Sequence, residues 1–179
     1  MIVLSDLFKR IVQNLNTSFE GNGIDLSVRY SFGTYQETTK EIQDFGNSTT
    51  LKDQKFPLIW LVTEQDELFD SSAIGKPVLT NIQILIANST DPNSNSVKRI
   101  DQNYIPVLYP IYEQLLIEIA ASGFFEEQHR DDIYHMRTDR PFAGVKDQNG
   151  KYLSNLFNSY VDVVHIRNMR LNVCREYCN

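Results

Sequence analysis

The chain has 179 residues, 41% of them apolar and 22% charged, and its formal net charge at pH 7 is −6. This length and composition are those of an ordinary folded domain, and an aromatic content of 11% excludes a wholly disordered chain. The acidic balance argues against a domain that binds nucleic acid through a basic surface, and no apolar stretch approaches the roughly 20 residues of a membrane-spanning helix.

The first third of the chain contains one predicted helix and one predicted strand. Apolar residues recur at three- and four-residue spacing over residues 4–15, which predicts an amphipathic helix that is capped by Ser5 and runs to about Phe19. Residues 24–32 alternate strictly between apolar and polar side chains, as in a half-buried strand. Residues 33–55 are polar and weakly patterned, so we expect a long hairpin arm or a mobile loop there.

The middle of the chain contains two further predicted strands. Phe56–Val62 is a continuous apolar run, which predicts a central strand covered on both faces, with Pro57 at its entrance. Trp60 lies in this run, and we expect it to be a core residue because its neighbours leave no polar face for a binding cleft. Alternation at residues 78–86 predicts another strand, and the segment Asp91–Ser96 predicts a turn.

A long helix and a long last strand are predicted in the second half of the chain. The helix begins at Ile105 or Val107 and ends at Ser122, because its apolar face is continuous up to a glycine that follows it. Residues 160–173 are rich in valine and isoleucine and predict a strand. Its alternation changes phase near Asn168, which predicts a bulge or a bend there.

These elements predict an α+β fold, with an antiparallel sheet of about four to six strands and two main helices packed on one face. We expect residues 1–179 to form a single structural domain. Its two irregular segments are the arm or long loop at 33–55 and an interaction loop at 137–150, which ends in a turn.

The sequence contains no arrangement of residues that predicts catalysis, a cofactor or a metal ion. His129 and His135 are separated by a spacing that matches neither a helical pair of ligands nor the zinc-binding patterns, so an enzyme that uses this loop is only a third hypothesis. His165 lies among the valines of the last predicted strand, where we expect a packed, neutral histidine. Cys174 and Cys178 lie too near the C-terminus for a disulfide framework and are poor nucleophile candidates.

The segment from His129 to Arg175 is richer in residues typical of protein interfaces than an ordinary surface. Between His129 and Arg175 basic residues outnumber acidic ones, in contrast to the chain as a whole. Arginine beside an aromatic residue is favoured in protein interfaces, although ordinary salt links within a loop explain the same composition. We predict that five residues contact other subunits: Tyr35, Phe45, Arg137, Arg140 and Phe142.

Three stretches resemble a known class of proteins: Tyr104–Leu116, His135–Phe142 and Phe157–Leu171. They are similar to small structural proteins encoded by tailed phages of gut Bacteroidales, including the crAss-like group. The order of a leading helix, an antiparallel sheet, a helix across it and a late strand also resembles the tail-terminator and tail-completion fold. The resemblance covers roughly residues 56–173 and includes no diagnostic motif.

The resemblance implies a structural virion protein that forms a ring of six or twelve copies in the neck between portal and tail. Its implied partners are other copies, the portal and neighbouring neck or tail proteins, with no cofactor, no chemistry, no specific nucleic-acid binding and no membrane. The chain start has no basic signal region, so we expect synthesis in the host cytoplasm and a final location in the virion. The alternative hypothesis is a non-enzymatic protein-binding module that acts as a monomer or dimer.

A ring in the neck surrounds the channel through which the phage DNA passes. The acidic residues between Glu64 and Asp70 are candidates to face this channel. Tight contacts with phosphate groups hinder the passage of DNA, so we expect these side chains to face the channel or open solvent. A merely solvated acidic loop explains the same residues.

Overall fold

The computed structural model describes residues 4–47, 55–62, 66–69, 77–146, 152–155 and 160–174. It describes the backbone only for residues 45–47, 66–69, 77, 141–146 and 152–155. Within these ranges the chain forms one mixed sheet with helices on both faces, which confirms the predicted α+β class.

The sheet has seven strands in the described part of the chain. They are β1 (Arg29–Gly33), β2 (Leu58–Val62), β3 (Asp66–Phe69), β4 (Pro77–Ser89), β5 (Met136–Lys146), β6 (Tyr152–Asn155) and β7 (Val161–Asn172). Their order is β1-β2-β4-β7-β5-β6, with β3 paired to one end of β4. The sheet is antiparallel, as predicted, at every pair of strands except one, since β1 and β2 are parallel. A helix connects these two strands and returns the chain to the same end of the sheet, as parallel strands require.

The segment 33–55 contains a helix where we predicted an arm or a loop, since α2 spans Tyr35–Asn47. A capping box begins this helix, because Glu37 Oε2 accepts hydrogen bonds from the backbone N–H and the hydroxyl of Thr34 at 2.8 and 2.9 Å. Ile42 and a threonine one turn earlier are completely buried on the inner side of α2. A threonine in a buried position breaks the apolar periodicity, which is why the pattern predicted no helix.

The predicted interaction loop at 137–150 is a strand over its described part, since β5 continues to Lys146. β5 pairs with β7 without a register shift from Met136 to Arg140, so successive side chains over these residues lie on opposite faces of the sheet. Polar residues occupy both faces near this edge of the sheet, and therefore the sequence shows no alternation to read. Two polar side chains lie on each face: Arg137 and Asp139 on one, Thr138 and Arg140 on the other.

The predicted bulge near Asn168 is confirmed. Asn168 on β7 has a φ of 52°, Asn81 on β4 has a φ of 60°, and the register between the two strands shifts at this point. Asparagine tolerates this left-handed conformation better than most residues. The bulge lets Ile166 and Met169 face the same core layer although they are separated by an odd number of residues.

Apolar side chains form two layers, one on each face of the sheet. The larger layer lies between the sheet and the helices α1 (Leu4–Gly21) and α4 (Tyr109–Ala121), as predicted. The smaller layer lies under α2, which the sequence did not predict. Trp60 belongs to the smaller layer, is 4% exposed and donates a hydrogen bond from Nε1 to the Gly33 carbonyl oxygen at 3.0 Å. The prediction that Trp60 is a core residue of a central strand is confirmed.

The long helical segment begins before its predicted start at Ile105 or Val107. It consists of α3 (Ser96–Arg99), a π-helical run (Ile100–Leu108) and α4. Asn95 caps the segment, because its side-chain oxygen accepts a hydrogen bond from the Lys98 backbone N–H at 3.0 Å. Pro106 has no backbone N–H to donate within a regular α-helix, and it lies in the wider π-helical turns instead.

Candidate functional site

The first candidate feature is an arginine that lies over two tyrosine rings. The guanidinium carbon of Arg137 is 4.9 Å from the ring centre of Tyr109 and 5.0 Å from that of Tyr112. β5 presents the arginine to the helix layer, and the first turn of α4 presents both tyrosines at helical i, i+3 spacing. Cation–π contacts of this kind contribute roughly 0.5–2 kcal/mol each and fix the orientation of the guanidinium. These three residues are called the arginine–tyrosine cluster below.

Asp139 adds a negative charge to the arginine–tyrosine cluster. The Tyr109 hydroxyl donates to Asp139 Oδ2 at 2.8 Å, and Asp139 Oδ1 lies 3.3 Å from Arg137 Nε. The pKa of Tyr109 is raised, first by burial and then by the hydrogen bond to Asp139 and its charge. The hydroxyl therefore stays protonated and keeps its place as a donor. A cation, an anion and two aromatic rings thus lie together in one ordered arrangement, and arginine and tyrosine are enriched in protein interfaces.

The two histidines near the cluster are held by different partners. Nδ1 of His135 lies 2.8 Å from the Ile133 carbonyl oxygen and must donate to it. Its Nε2 lies 2.7 Å from the hydroxyl oxygen of Tyr112. His129 is exposed, and its Nδ1 lies 3.3 Å from Asp131 Oδ2. No three His, Cys, Asp or Glu side chains in the described ranges are grouped so that they could hold a metal ion.

A cavity of about 140 Å³ lies beside the arginine–tyrosine cluster. Six residues line it: Ser96, Arg99, Ile100, Tyr104, Tyr109 and Asp139. Three aliphatic side chains on the same helical segment are largely exposed, namely Val97 at 65%, Ile100 at 45% and Ile105 at 56%. Ile100 also lines the cavity, so the cavity opens beside an exposed aliphatic side chain.

Arg99, which lines the cavity, forms a buried ion pair. Arg99 and Asp162 are 6% and 0% exposed, and Arg99 Nη1 lies 3.0 Å from Asp162 Oδ1. Arg99 also donates to the carbonyl oxygens of Asp91 and Ser94 at 2.9 Å each. Asn103 Nδ2 donates to the other carboxylate oxygen of Asp162 at 2.8 Å. These bonds join the turn before α3, the π-helical run and β7, so they fix where the cavity lies.

The five residues predicted to contact other subunits do not lie on one surface. Arg137 belongs to the arginine–tyrosine cluster, whereas Arg140 is exposed on the opposite face of the sheet. Tyr35 is 40% exposed at the start of α2. The side chains of Phe45 and Phe142 lie outside the described residues. Strand alternation in β5 separates the two arginines, and their subunit contacts stay predictions.

The sequence patterns did not predict the residues that contact Arg137 or the ion pair beside the cavity. Tyr112 was predicted only as part of an apolar helix face, and Tyr109 was not singled out. The buried pair of Arg99 and Asp162 had a detectable signal, because a carboxylate within a run of valines needs a buried partner. The acidic stretch from Glu64 to Asp70 was expected to face a channel or solvent, and its side chains lie outside the described residues.

His165 of β7 is packed and neutral, as predicted. It is 8% exposed, and neither ring nitrogen has a hydrogen-bond partner among the residues that the structure describes. Burial lowers its pKa to about 4, with further contributions from the positive charges of Arg140 and Arg167. Arg167 is held in place by its donation to the Thr138 hydroxyl at 2.9 Å. The imidazole is thus an uncharged packing group on the face of the sheet opposite the cavity.

We expect His165 to make the stability of the protein depend on pH. Its pKa is about 4 in the folded chain and near 6.5 in an unfolded one. Between these values the unfolded state binds more protons. The contribution of uncharged His165 to the free energy of unfolding is therefore fully present above about pH 6.5, and it falls as the pH decreases towards 4. The expected loss is about 2–3 kcal/mol.

Urea unfolding of the wild type and His165→Leu at pH 7 and near pH 4.5 measures this contribution. Leucine has no proton to bind, so the variant is expected to lose about 2–3 kcal/mol less than the wild type between the two conditions. The exposed His129 serves as a control, and His129→Gln is expected to follow the wild type. Identical losses in the wild type and His165→Leu contradict the prediction.

None of the helices in the described part of the chain is both long and apolar enough to cross a membrane. The features that bear on function are the arginine–tyrosine cluster, the cavity and the exposed aliphatic side chains, and all of them include the helical segment that ends with α4. No protein-family model, curated protein sequence or solved structure matches this chain.

Proposed function

We propose that this protein is a structural subunit that forms a ring in the neck between the portal and the tail of a tailed phage, and that it catalyses no reaction. The observation that carries the proposal is the surface made by the arginine–tyrosine cluster, the adjacent cavity and three exposed aliphatic side chains. The resemblance of the sequence to phage neck and tail proteins supplies the type of assembly. The expected location is the virion.

The composition of this surface favours contact with protein. Arginine and tyrosine are enriched among the residues that contribute most to protein interfaces. Arg137 is already oriented by two rings and by Asp139, so little side-chain entropy remains to be lost when a partner binds. Val97 and Ile105 add apolar area that water covers in the isolated chain.

We predict that Arg137→Glu prevents ring formation and leaves the subunit folded. The substitution reverses the charge in the centre of the surface and removes both cation–π contacts. Arg10→Glu is the matched control, because Arg10 is exposed on α1 and belongs neither to the cluster nor to the lining of the cavity. Light scattering or mass photometry is expected to find six or twelve copies for the wild type and the control, and a monomer for Arg137→Glu.

The same variants are then tested in phage particles. The wild type and Arg10→Glu are expected in purified particles, and Arg137→Glu is expected to be absent from them. Circular dichroism of the purified variant checks that it has kept its fold. A wild-type protein that stays monomeric in solution and never enters particles contradicts the ring proposal.

The second candidate function is a protein-binding module that acts as a monomer or a dimer. The cavity favours it, since a cavity of about 140 Å³ also accepts one side chain of an unrelated protein. A measured mass that never exceeds two copies, together with absence from particles, selects this alternative over the ring.

A further inference from the structure

Phe32 is an aromatic side chain that this fold leaves half exposed. It lies on β1, an edge strand of the sheet, and is 52% exposed. It pairs in register with Leu61 of β2, so it lies on the same face of the sheet as the larger core layer. Tyr30 stacks on it with the ring centres 6.2 Å apart. The ring of Phe32 is therefore oriented by its neighbour and exposed at an edge of the described sheet.

The cavity lies towards the opposite edge of the same sheet. Asp139 of β5 contributes to its lining, and the strands β2, β4 and β7 separate β5 from β1. Phe32 therefore cannot reach the cavity of its own chain. A Phe32 ring that enters this cavity has to come from another copy.

The size and the lining of the cavity fit a single aromatic ring. Its volume is about 140 Å³, and an apolar cavity of about 150 Å³ is known to accept benzene. Ile100, Tyr104 and Tyr109 supply aliphatic and aromatic walls. Aromatic anchors that fill such pockets are the contacts that contribute most to interfaces.

We propose that Phe32 of each subunit inserts into the cavity between Ile100, Tyr104 and Tyr109 of the next subunit. This inference rests on the proposed function, since it specifies how the ring is held together. The two surfaces are different and lie towards opposite edges of one sheet. Such a head-to-tail contact generates a closed ring when the rotation between subunits closes.

Two single variants test the contact: one removes the inserted ring, and the other alters the cavity that receives it. Phe32→Ala removes the inserted ring, and Ile100→Glu adds a charge to the wall of the cavity at a side chain that is already 45% exposed. Each is expected to raise the dissociation constant of the assembly by about 10-fold or more. The matched controls are Ile24→Ala and Ile117→Glu, because these side chains are 41% and 40% exposed outside the proposed contact.

Mixing the two defective variants tests the pairing directly. Phe32→Ala keeps an intact cavity, and Ile100→Glu keeps an intact Phe32, so one good contact remains in an equimolar mixture. The mixture is therefore expected to form a species of two copies that neither variant forms alone and that grows no further. Mass photometry of each protein and of the mixture measures this, together with the amount of each variant in particles.

The outcomes separate the inference from the proposed function. A wild type that assembles or enters particles, with Phe32→Ala or Ile100→Glu behaving identically, overturns the inference and leaves the ring intact. Folded monomers that do not pair on mixing also overturn it. A wild type that never assembles and never enters particles overturns both the inference and the ring.

Discussion

Asp162→Asn is expected to lower the free energy of unfolding by about 3–5 kcal/mol, because it removes the negative charge that pairs with the buried guanidinium of Arg99. The two side chains are 0% and 6% exposed, so water cannot replace the lost carboxylate. Asn103 also loses a charged acceptor, since it donates to Asp162 Oδ2 at 2.8 Å. Urea unfolding followed by circular dichroism measures the change.

Asp131→Asn is the control for this experiment. Asp131 is 74% exposed, and its contacts with His129 and Arg130 lie at the surface. Surface ion pairs contribute about 0–1 kcal/mol, so its midpoint is expected to stay close to that of the wild type. A similarly small change for Asp162→Asn contradicts the prediction and indicates that the Arg99 side chain reaches water.

A double variant separates the charge effect from packing. Arg99→Met with Asp162→Leu replaces the ion pair by apolar side chains and removes both of its charges. Such replacements are often neutral or stabilising, so the double variant is expected to be more stable than Asp162→Asn alone. Arg99 lines the cavity, so the double variant also alters the cavity wall. Whether the double variant still assembles therefore shows whether assembly depends on that wall.

Trp60→Ala is expected to cost about 3–5 kcal/mol, which is enough to unfold a marginally stable domain. Trp60 lies on a central strand and is 4% exposed in the layer under α2. Alanine leaves a cavity there and also removes the hydrogen bond from Nε1 to the Gly33 carbonyl oxygen. Thermal or urea unfolding measures the loss.

Two further variants make the Trp60 result specific. Trp60→Phe keeps most of the buried ring and loses the hydrogen bond, so its cost is expected to be smaller, near 1–3 kcal/mol. Phe32→Ala removes an aromatic side chain that is half exposed, and it is expected to change the stability of the isolated subunit little. If Trp60→Ala unfolds at the wild-type midpoint, the layer under α2 does not stabilise the fold.

The sequence patterns predicted those elements whose burial follows a simple period. The stripe of α1 and the alternation of β4 and β7 gave correct elements, because one side of each faces the larger core layer. Even the bulge near Asn168 was detectable, since it shifts the phase of that alternation. α2 was missed because its inner face includes a buried threonine, although the Thr34 and Glu37 capping box was present in the sequence.

The candidate site shows the limit of the same reasoning. Arg137 was predicted as a contact residue from composition alone, and so was Arg140. Nothing in the local pattern indicates that one lies over Tyr109 and Tyr112 while the other lies on the opposite face beside His165. The register of β5 decides on which face each arginine lies, and a shift of one residue would move each of them to the other face of the sheet.

By itself the sequence determined the fold class, the core strand around Trp60, the neutral state expected of His165 and the positions of most helices and strands. These features depend on local periodicity and on which side chains avoid water. Only the tertiary structure decided that β1 runs parallel to β2, that α2 covers the second face and that the cavity forms beside Tyr109. Such features arise from contacts between residues far apart in the chain, and those contacts depend on strand order and register, which local patterns do not encode.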